Sequence, residues 1–168
     1  ELNEGLELLT TSEAQAVYVV DSFGALYSEQ VQYLVKKYLH YCKAVGKEVG
    51  MHMHNNLQLA YANTIEGIVL GANYLDATMA GLGRGAGNCQ MELLIGFLHN
   101  PKYDLRPVLD CVQNHIEPLR AKLLWGFDLP YMLTGLLNQH PRAAIKFKEA
   151  ELKGEKGDIL KFYDTVTE

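Results

Sequence analysis

Two histidines separated by a single residue are the feature of this sequence best suited to chemistry. His52 and His54 stand in the stretch "VGMHMHNNLQLAYAN", where an apolar run gives way to a predicted helix. Side chains of an extended chain alternate between faces, so the two imidazoles share one face, about 6–7 Å apart, and Val49, Met51 and Met53 share the other. Neutral imidazoles at this spacing can bind one zinc, manganese or iron ion. The spacing predicts a metal site; the alternative is a pair of hydrogen-bonded histidines with no ligand.

Two histidines do not complete a metal site, and the sequence offers three further donors. Asp21 and Asp76 follow predicted strands, and the side-chain carbonyl of Asn88 follows a glycine-rich stretch. A carboxylate is the most plausible third ligand beside two imidazoles. Asp21 and Asp76, like the two histidines, lie at the carboxyl ends of predicted strands, the edge where parallel α/β folds place their chemistry.

Strand-like and helix-like segments alternate along residues 1–100, which predicts βα units on a parallel sheet. Ser28 is expected to cap the first long helix, and Gly46 and Gly71 to end the two helices that precede them. Beyond residue 100 only helical segments are predicted, so residues 101–168 form a helical C-terminal extension. The predicted strands are "AVYVVDS", "KEVGMHMH" and "NYLDATMAG", and the predicted helices run from Ser28 to Gly46, Leu57 to Leu70 and Met91 to Leu98.

The glycine-rich stretch "GLGRGAGN" matches neither the dinucleotide fingerprint nor a P-loop, because its spacing differs and no GK[ST] follows. A tight turn that brings Asn88 to the site is the favoured interpretation.

The amino-acid composition limits the classes of function that the protein can have. A net charge of −5 gives no electrostatic support for nucleic-acid binding. No apolar run is long enough for a membrane span. The three cysteines are odd in number and widely spaced, which favours reduced thiols and a cytoplasmic protein.

Three motifs in order carry a resemblance to a known family. "VVDSFGA", "GMHMHNNLQLAYAN" and "LDATMAGLGRGAGN" together resemble the HMG-CoA lyase-like aldolases and synthases, metal-dependent TIM barrels that include 4-hydroxy-2-oxovalerate aldolase, HMG-CoA lyase and 2-isopropylmalate synthase. The later stretch "GFDLPYMLTGLLNQ" looks more like the hydroxy-oxo-acid aldolases than the synthases. The resemblance implies an α/β fold: the last three strands and helices of a TIM (β/α)8 barrel, followed by a helical extension.

The resemblance also assigns roles to individual residues. It makes His52 and His54 ligands of a divalent metal, either manganese, magnesium or zinc. Asn88 and Ser22 would bind the substrate, with Asn88 also supporting the metal, and Tyr131 would lie beside the substrate as a catalytic residue that selects its stereochemistry. By the same comparison, Asp21 and Asp76 are structural residues or hydrogen-bond partners of the ligands, so they are less favoured as metal ligands themselves.

The implied activity is metal-dependent cleavage of a 4-hydroxy-2-oxo acid to pyruvate and an aldehyde. The Arg-Asp-Gly motif that carries the third ligand and an enolate-stabilising arginine in this family does not occur here, and a whole barrel runs to about 250 residues. The chain therefore looks like a C-terminal fragment that is inactive alone and pairs with a missing N-terminal barrel half or with itself. In some members an aldehyde dehydrogenase is a further partner.

Three alternatives stay open at this point. A synthase that condenses an acyl-CoA with a 2-oxo acid would use the same metal site. A two-histidine-one-carboxylate iron oxygenase fits the residues without the family. The non-catalytic alternative is a metal-binding or assembly fragment.

Overall fold

A computed structural model describes all 168 residues, and its centre is a parallel sheet of three strands in the order β1-β2-β3. β1 pairs with β2 over six residues, with Val20 opposite His52, and β2 pairs with β3 through Gly50 and Met51. The strands are β1 (Ala16–Asp21), β2 (Glu48–Met53) and β3 (Tyr74–Leu75).

Eight α-helices surround or follow the sheet. They are α1 (Leu2–Thr10), α2 (Ser28–Lys43), α3 (Ala60–Leu70), α4 (Met91–Leu98), α5 (Leu105–Cys111), α6 (Leu129–Leu136), α7 (Arg142–Leu152) and α8 (Ile159–Thr167). Short 3₁₀ turns at Met79–Gly81 and Glu117–Ala121 and a π-helical turn at Val112–Ile116 complete the chain. The α/β class is as predicted, because α2 and α3 each connect one parallel strand to the next.

One face of the sheet is buried beneath α2, α3 and α4. The alternation of β2 turns Val49, Met51 and Met53 into this core, where all three are almost fully buried. α2 covers them with a stripe of apolar residues spaced three or four apart, the pattern of an amphipathic helix. That stripe consists of Val31, Val35, Leu39 and Cys42.

The opposite face of the sheet is open. Val20 on β1 is 49% exposed and Tyr74 on β3 is 46% exposed. His52 and Asp76 lie on the same open face, because Val20 pairs with His52 and the β2–β3 register continues from Met51–Leu75 to His52–Asp76. The histidine pair therefore lies on a sheet face that no element of this chain covers.

The C-terminal helices have a small core of their own. Tyr131, Ala144 and Phe162 pack together, and Ala86 from the glycine-rich stretch joins them. Lys148 on α7 forms ion pairs with Asp128, at the start of α6, and with Glu151, each at 2.8 Å. The glycine-rich stretch thus contacts the C-terminal helices, and the division at residue 100 stays a prediction.

Four predicted boundaries were wrong, each for a local reason. β3 is two residues long rather than spanning "NYLDATMAG", because the chain leaves the sheet edge for a 3₁₀ turn at Met79. α3 starts at Ala60 rather than Leu57, because the Asn55 side chain accepts the Ala60 N–H at 3.1 Å and Gln58 takes a left-handed φ of 61°. Both differences shorten the regular elements at the edge of the sheet that carries the polar residues.

The other two differences concern α2. Ser28 is its first residue and not its cap; instead the Gln30 side chain accepts the Tyr27 N–H at 2.9 Å. α2 ends at Lys43, and Gly46 lies beyond it in the turn, with a φ of 71°. Gly71 does end α3 in the left-handed conformation, as predicted.

Candidate metal and substrate site

His52 and His54 each have one ring nitrogen fixed by an acceptor. His52 Nδ1 lies 2.9 Å from a carboxylate oxygen of Asp76, and His54 Nδ1 lies 2.8 Å from the backbone carbonyl of Asp21. A carbonyl can only accept, so His54 carries its proton on Nδ1, and the Asp76 carboxylate favours the same tautomer for His52. Both Nε2 lone pairs are then free to bind, which is the arrangement of metal-ligating histidines with a partner on the other nitrogen.

The two rings lie side by side on the open face. Their centroids are 5.1 Å apart and their planes are inclined by 78°. Both residues are half-buried rather than sealed in the core. The two imidazoles are therefore close neighbours that are accessible from outside the core.

Asn88 is brought to the histidines by backbone pairing across the glycine-rich stretch. It forms an isolated antiparallel bridge with His54, and its neighbours support it: the Asn55 N–H donates to Gly87 O at 2.9 Å and the Cys89 N–H to Met53 O at 3.2 Å. The Asn88 side-chain NH₂ donates to Leu82 O at 3.1 Å. Its Oδ1 is buried without a hydrogen-bond partner. An unpaired buried carbonyl next to a histidine ligand is a donor that a cation would satisfy.

A cavity of about 720 Å³ extends from this point along β3 and α4. Its polar end is formed by His52, Asp76, Thr78 and Asn88, and its apolar end by side chains of α3, β3 and α4. The Thr78 hydroxyl is, like Asn88 Oδ1, buried without a partner. Two unpaired acceptors beside a histidine make this end suited to a polar ligand or a cation.

Asp21 and Asp76 are engaged elsewhere and do not join the histidines as ligands. The Asp21 carboxylate accepts the N–H groups of Ala25 and Leu26, both at 3.0 Å, and Asp76 is the partner of His52 Nδ1. No group of three or more histidine, cysteine or carboxylate side chains is arranged around one point. These contacts agree with the role that the resemblance implies for the two aspartates, as structural residues or hydrogen-bond partners of the histidines.

Ser22 and Tyr131 are placed differently with respect to the histidines. Ser22 is exposed and follows β1, and the register that pairs Asp21 with Met53 continues to place it opposite His54. Tyr131 is 6% exposed and packs against Gly85, so closely that a Cβ at Gly85 would clash with its ring. Burial raises the pKa of the Tyr131 phenol, although the positive charge of Arg84 opposes this. The strand register thus brings Ser22 to the level of His54, whereas Tyr131 packs against the glycine-rich stretch.

The glycines of "GLGRGAGN" allow this stretch to fold back on itself. Gly87 has a φ of 82°, and a Cβ there would overlap the carbonyl oxygen of Gly81. Gly85 has a φ of 59° and lies flat against Tyr131. Only glycine adopts these conformations at no steric cost, so the stretch is the turn predicted from the sequence.

Several neighbours of the site were not singled out from the sequence. Tyr18 lies near Asp76; burial raises the pKa of its phenol, and the negative charge of Asp76 raises it further. Glu92 and Trp125 bond to the turn at Ala80. Cys89, beside Asn88, is fully buried, and burial raises the pKa of its thiol, which makes it a poor nucleophile. No sequence spacing marks Tyr18, Glu92 or Trp125, because each of these contacts joins parts of the chain that are apart in sequence.

The fold and the site together define a class: parallel βα units with a pair of tautomer-fixed histidines and an asparagine carbonyl at the carboxyl ends of their strands. A family model described as HMGL-like matches residues 1–116. The chain belongs to the HMGL-like family, as the motifs predicted.

Three relatives define the likeness more closely. A 4-hydroxy-2-oxovalerate aldolase of Carboxydothermus hydrogenoformans is 41% identical over 161 residues, covering 88% of this chain and 46% of the relative. An oxaloacetate decarboxylase of Mycobacterium tuberculosis is 40% identical over 117 residues, covering 67% of this chain and 33% of the relative. The crystal structure of the N-terminal domain of an aldolase candidate from Bacteroides vulgatus matches with a TM-score of 0.67 and 36% identity, covering 79% of this chain and 44% of that one.

The chain spans about half the length, or less, of the relatives it matches. Its three strands therefore correspond to part of an HMGL-like barrel, which agrees with the predicted fold class. None of its helices is both long and apolar enough to cross a membrane.

Proposed function

We propose that this chain supplies the metal-binding side of a divalent-metal-dependent aldolase that cleaves 4-hydroxy-2-oxo acids to pyruvate and an aldehyde. The observation that carries the proposal is the fixed orientation of His52 and His54. Each has its Nδ1 hydrogen-bonded to an acceptor, which leaves Nε2 as the atom with a lone pair, and the two ring centroids lie 5.1 Å apart. The identity to relatives named 4-hydroxy-2-oxovalerate aldolase supports this substrate class.

The residues present fit a hard or borderline divalent cation such as manganese, magnesium or zinc. His52 and His54 would hold it through Nε2, and Asn88 Oδ1, buried and unpaired, is the third donor. The bound cation would supply Lewis acidity toward the 2-oxo and carboxylate oxygens of the substrate. Asp76 and the Asp21 carbonyl keep the imidazoles oriented for that task.

The remaining roles follow the resemblance. Ser22, exposed next to His54, binds the substrate, and Asn88 contacts it from the glycine-rich stretch. Tyr131 contributes to stereochemistry from behind that stretch.

The general base and the enolate-stabilising arginine are assigned to an N-terminal barrel half, so the chain alone does not turn over substrate. That half, or a second copy of the chain, covers the open face. The three free cysteines suit a cytoplasmic location. A dehydrogenase that takes up the aldehyde is a further partner in this proposal.

Decarboxylation of a 2-oxo dicarboxylate is a second candidate. The 40% identity to an oxaloacetate decarboxylase supports this candidate. Aldol cleavage and decarboxylation both leave an enolate of a 2-oxo acid, so the same three donors serve either reaction.

The metal site is tested by titrating the chain with Mn²⁺ in a calorimeter. We expect one site per chain, lost in His52→Ala and in His54→Ala. His115→Ala is the matched control, because His115 is an exposed histidine on the π-helical turn after α5, and it should bind as the wild type does. Equal binding by all four proteins would contradict the proposal.

The reaction is tested in a chimera in which this chain replaces the matching part of the Carboxydothermus aldolase, restoring a whole barrel. We expect pyruvate and an aldehyde from 4-hydroxy-2-oxovalerate, and no turnover after His52→Ala. A chimera that acts on oxaloacetate but not on the hydroxy acid would favour the decarboxylase, and release of free CoA from an acyl-CoA would favour the synthase.

A further inference from the structure

Ala80 adopts a backbone conformation that an alanine does not readily take. Its φ is 51° and its ψ is 24°, in the left-handed region where the Cβ of an L-residue meets its own backbone. It lies in the turn that follows β3 and opens the glycine-rich stretch. Such a residue persists where the surrounding structure holds it in place.

Two side chains from outside the turn hold Ala80, one on each side of the residue. The Ala80 N–H donates to a carboxylate oxygen of Glu92, on α4, at 3.0 Å. The Ala80 carbonyl accepts the indole N–H of Trp125, from the segment before α6, at 2.9 Å. Trp125 is 9% exposed, so its hydrogen bond is shielded from water.

The next residue connects this contact to the site. The Gly81 carbonyl accepts the backbone N–H of Asn88 at 3.1 Å, and it is the atom against which Gly87 packs. Asn88 is thereby held beside His54, its Oδ1 buried and unpaired. A rotation of Ala80 into the right-handed region would turn the Gly81 carbonyl and remove the hydrogen bond of the Asn88 backbone N–H, one of the contacts that hold Asn88.

We propose that Glu92 and Trp125 are positioning residues that hold Ala80 in its left-handed conformation and so fix Asn88 as a donor of the cation site. We call the two hydrogen bonds that join Ala80 to Glu92 and Trp125 the clamp. The role of Asn88 rests on the proposed function, whereas the clamp does not. Trp125, which belongs to the C-terminal extension, would then support the site without touching the ligand.

Trp125→Phe tests the clamp most cleanly, because it removes the indole N–H and keeps an aromatic ring. We expect Mn²⁺ to bind the variant chain about tenfold more weakly than the wild type, the low end of what loss of a supporting contact costs a metal site. The Asn88 backbone amide should exchange with deuterium faster than in the wild type.

Ala80→Gly provides a rescue that a packing role for Trp125 would not show. Glycine adopts the left-handed conformation without a clamp, so Trp125→Phe combined with Ala80→Gly should recover most of the Mn²⁺ affinity and of the Asn88 protection. Arg120→Ala is the control: it removes the guanidinium that lies 4.6 Å from the Trp125 ring and leaves the indole N–H in place, and it should bind Mn²⁺ normally.

Glu92 gives a second route if the tryptophan variant does not fold. Glu92→Gln keeps an oxygen acceptor for the Ala80 N–H and should retain binding, whereas Glu92→Ala should lose it and be rescued by Ala80→Gly. Unchanged Asn88 exchange in Trp125→Phe and Glu92→Ala, or a loss that Ala80→Gly does not restore, would overturn the clamp. If the wild type fails to bind Mn²⁺, the metal site fails, and the exchange of Asn88 still decides the clamp.

Discussion

At the scale of single residues, the hydrogen bonds on Nδ1 fix the tautomer of His54 and favour the same tautomer for His52. The spacing of His52 and His54 already predicted a shared face, because alternation along a strand is fixed by covalent geometry. The partners of the two rings could not be predicted from spacing, since Asp76 lies 24 residues away and reaches His52 only through the pairing of β2 with β3. The side-chain directions within one strand could be predicted from the sequence, whereas the contacts between strands could not.

Asp76→Asn isolates the contribution of the carboxylate to His52. The amide keeps the size of the side chain but accepts less strongly than a carboxylate and lets the ring adopt the other tautomer. We expect Mn²⁺ affinity to fall roughly 10- to 100-fold in calorimetry. Asp110→Asn is the control, because the Asp110 carboxylate accepts only from Asn114 at an exposed position, and a similar loss there would argue against the assignment.

At the scale of elements, the glycine-rich stretch contacts both the end of β2, through the pairing of Asn88 with His54, and the C-terminal helices, through Ala86. The sequence predicted its tightness from its glycines, and Gly87 and Gly85 take the left-handed conformations that this requires. The 3₁₀ turn at Ala80 was missed, because alanine gives no signal for a positive φ and the side chains that hold it come from α4 and from beyond α5. The same reason explains the shortened β3, whose end is set by that turn.

Substitutions at two glycines separate a required glycine from an incidental one. Gly85→Ala would place a Cβ against the Tyr131 ring at a φ of 59°, so we expect it to destabilise the chain by roughly 2–4 kcal/mol in urea unfolding. Gly96→Ala, in α4, meets no atom within 4 Å and should stabilise the chain by about 0.5–1 kcal/mol. Equal effects at the two sites would contradict the packing of Tyr131 on the stretch.

At the scale of the whole molecule, the sheet has one covered face and one open face. The sequence predicted the apolar face and the face that carries the histidines, because apolar and polar residues alternate along β2. An open face that carries Val20 and Tyr74, 49% and 46% exposed, and unpaired strand edges favour association. No element of this chain covers the open face, so local sequence patterns do not indicate what would pack on it.

Light scattering on the chain alone tests this account of the open face. We expect a mass above that of one chain, falling to that of one chain in Val20→Glu, which places a charge on the open face. Val69→Glu, at a position 74% exposed on α3, is the control and should leave the mass unchanged. A wild-type chain that is folded and monomeric would count against self-association.

The central claim is that both imidazoles bind one cation through Nε2, and X-ray diffraction tests this claim most directly. Crystals of the chain soaked in Zn²⁺ should show an anomalous peak about 2.1 Å from Nε2 of His52 and of His54, with Asp76 still on Nδ1 of His52. A peak on only one ring, a peak on the Nδ1 side, or no peak between the two rings at a zinc concentration that occupies other sites would contradict it.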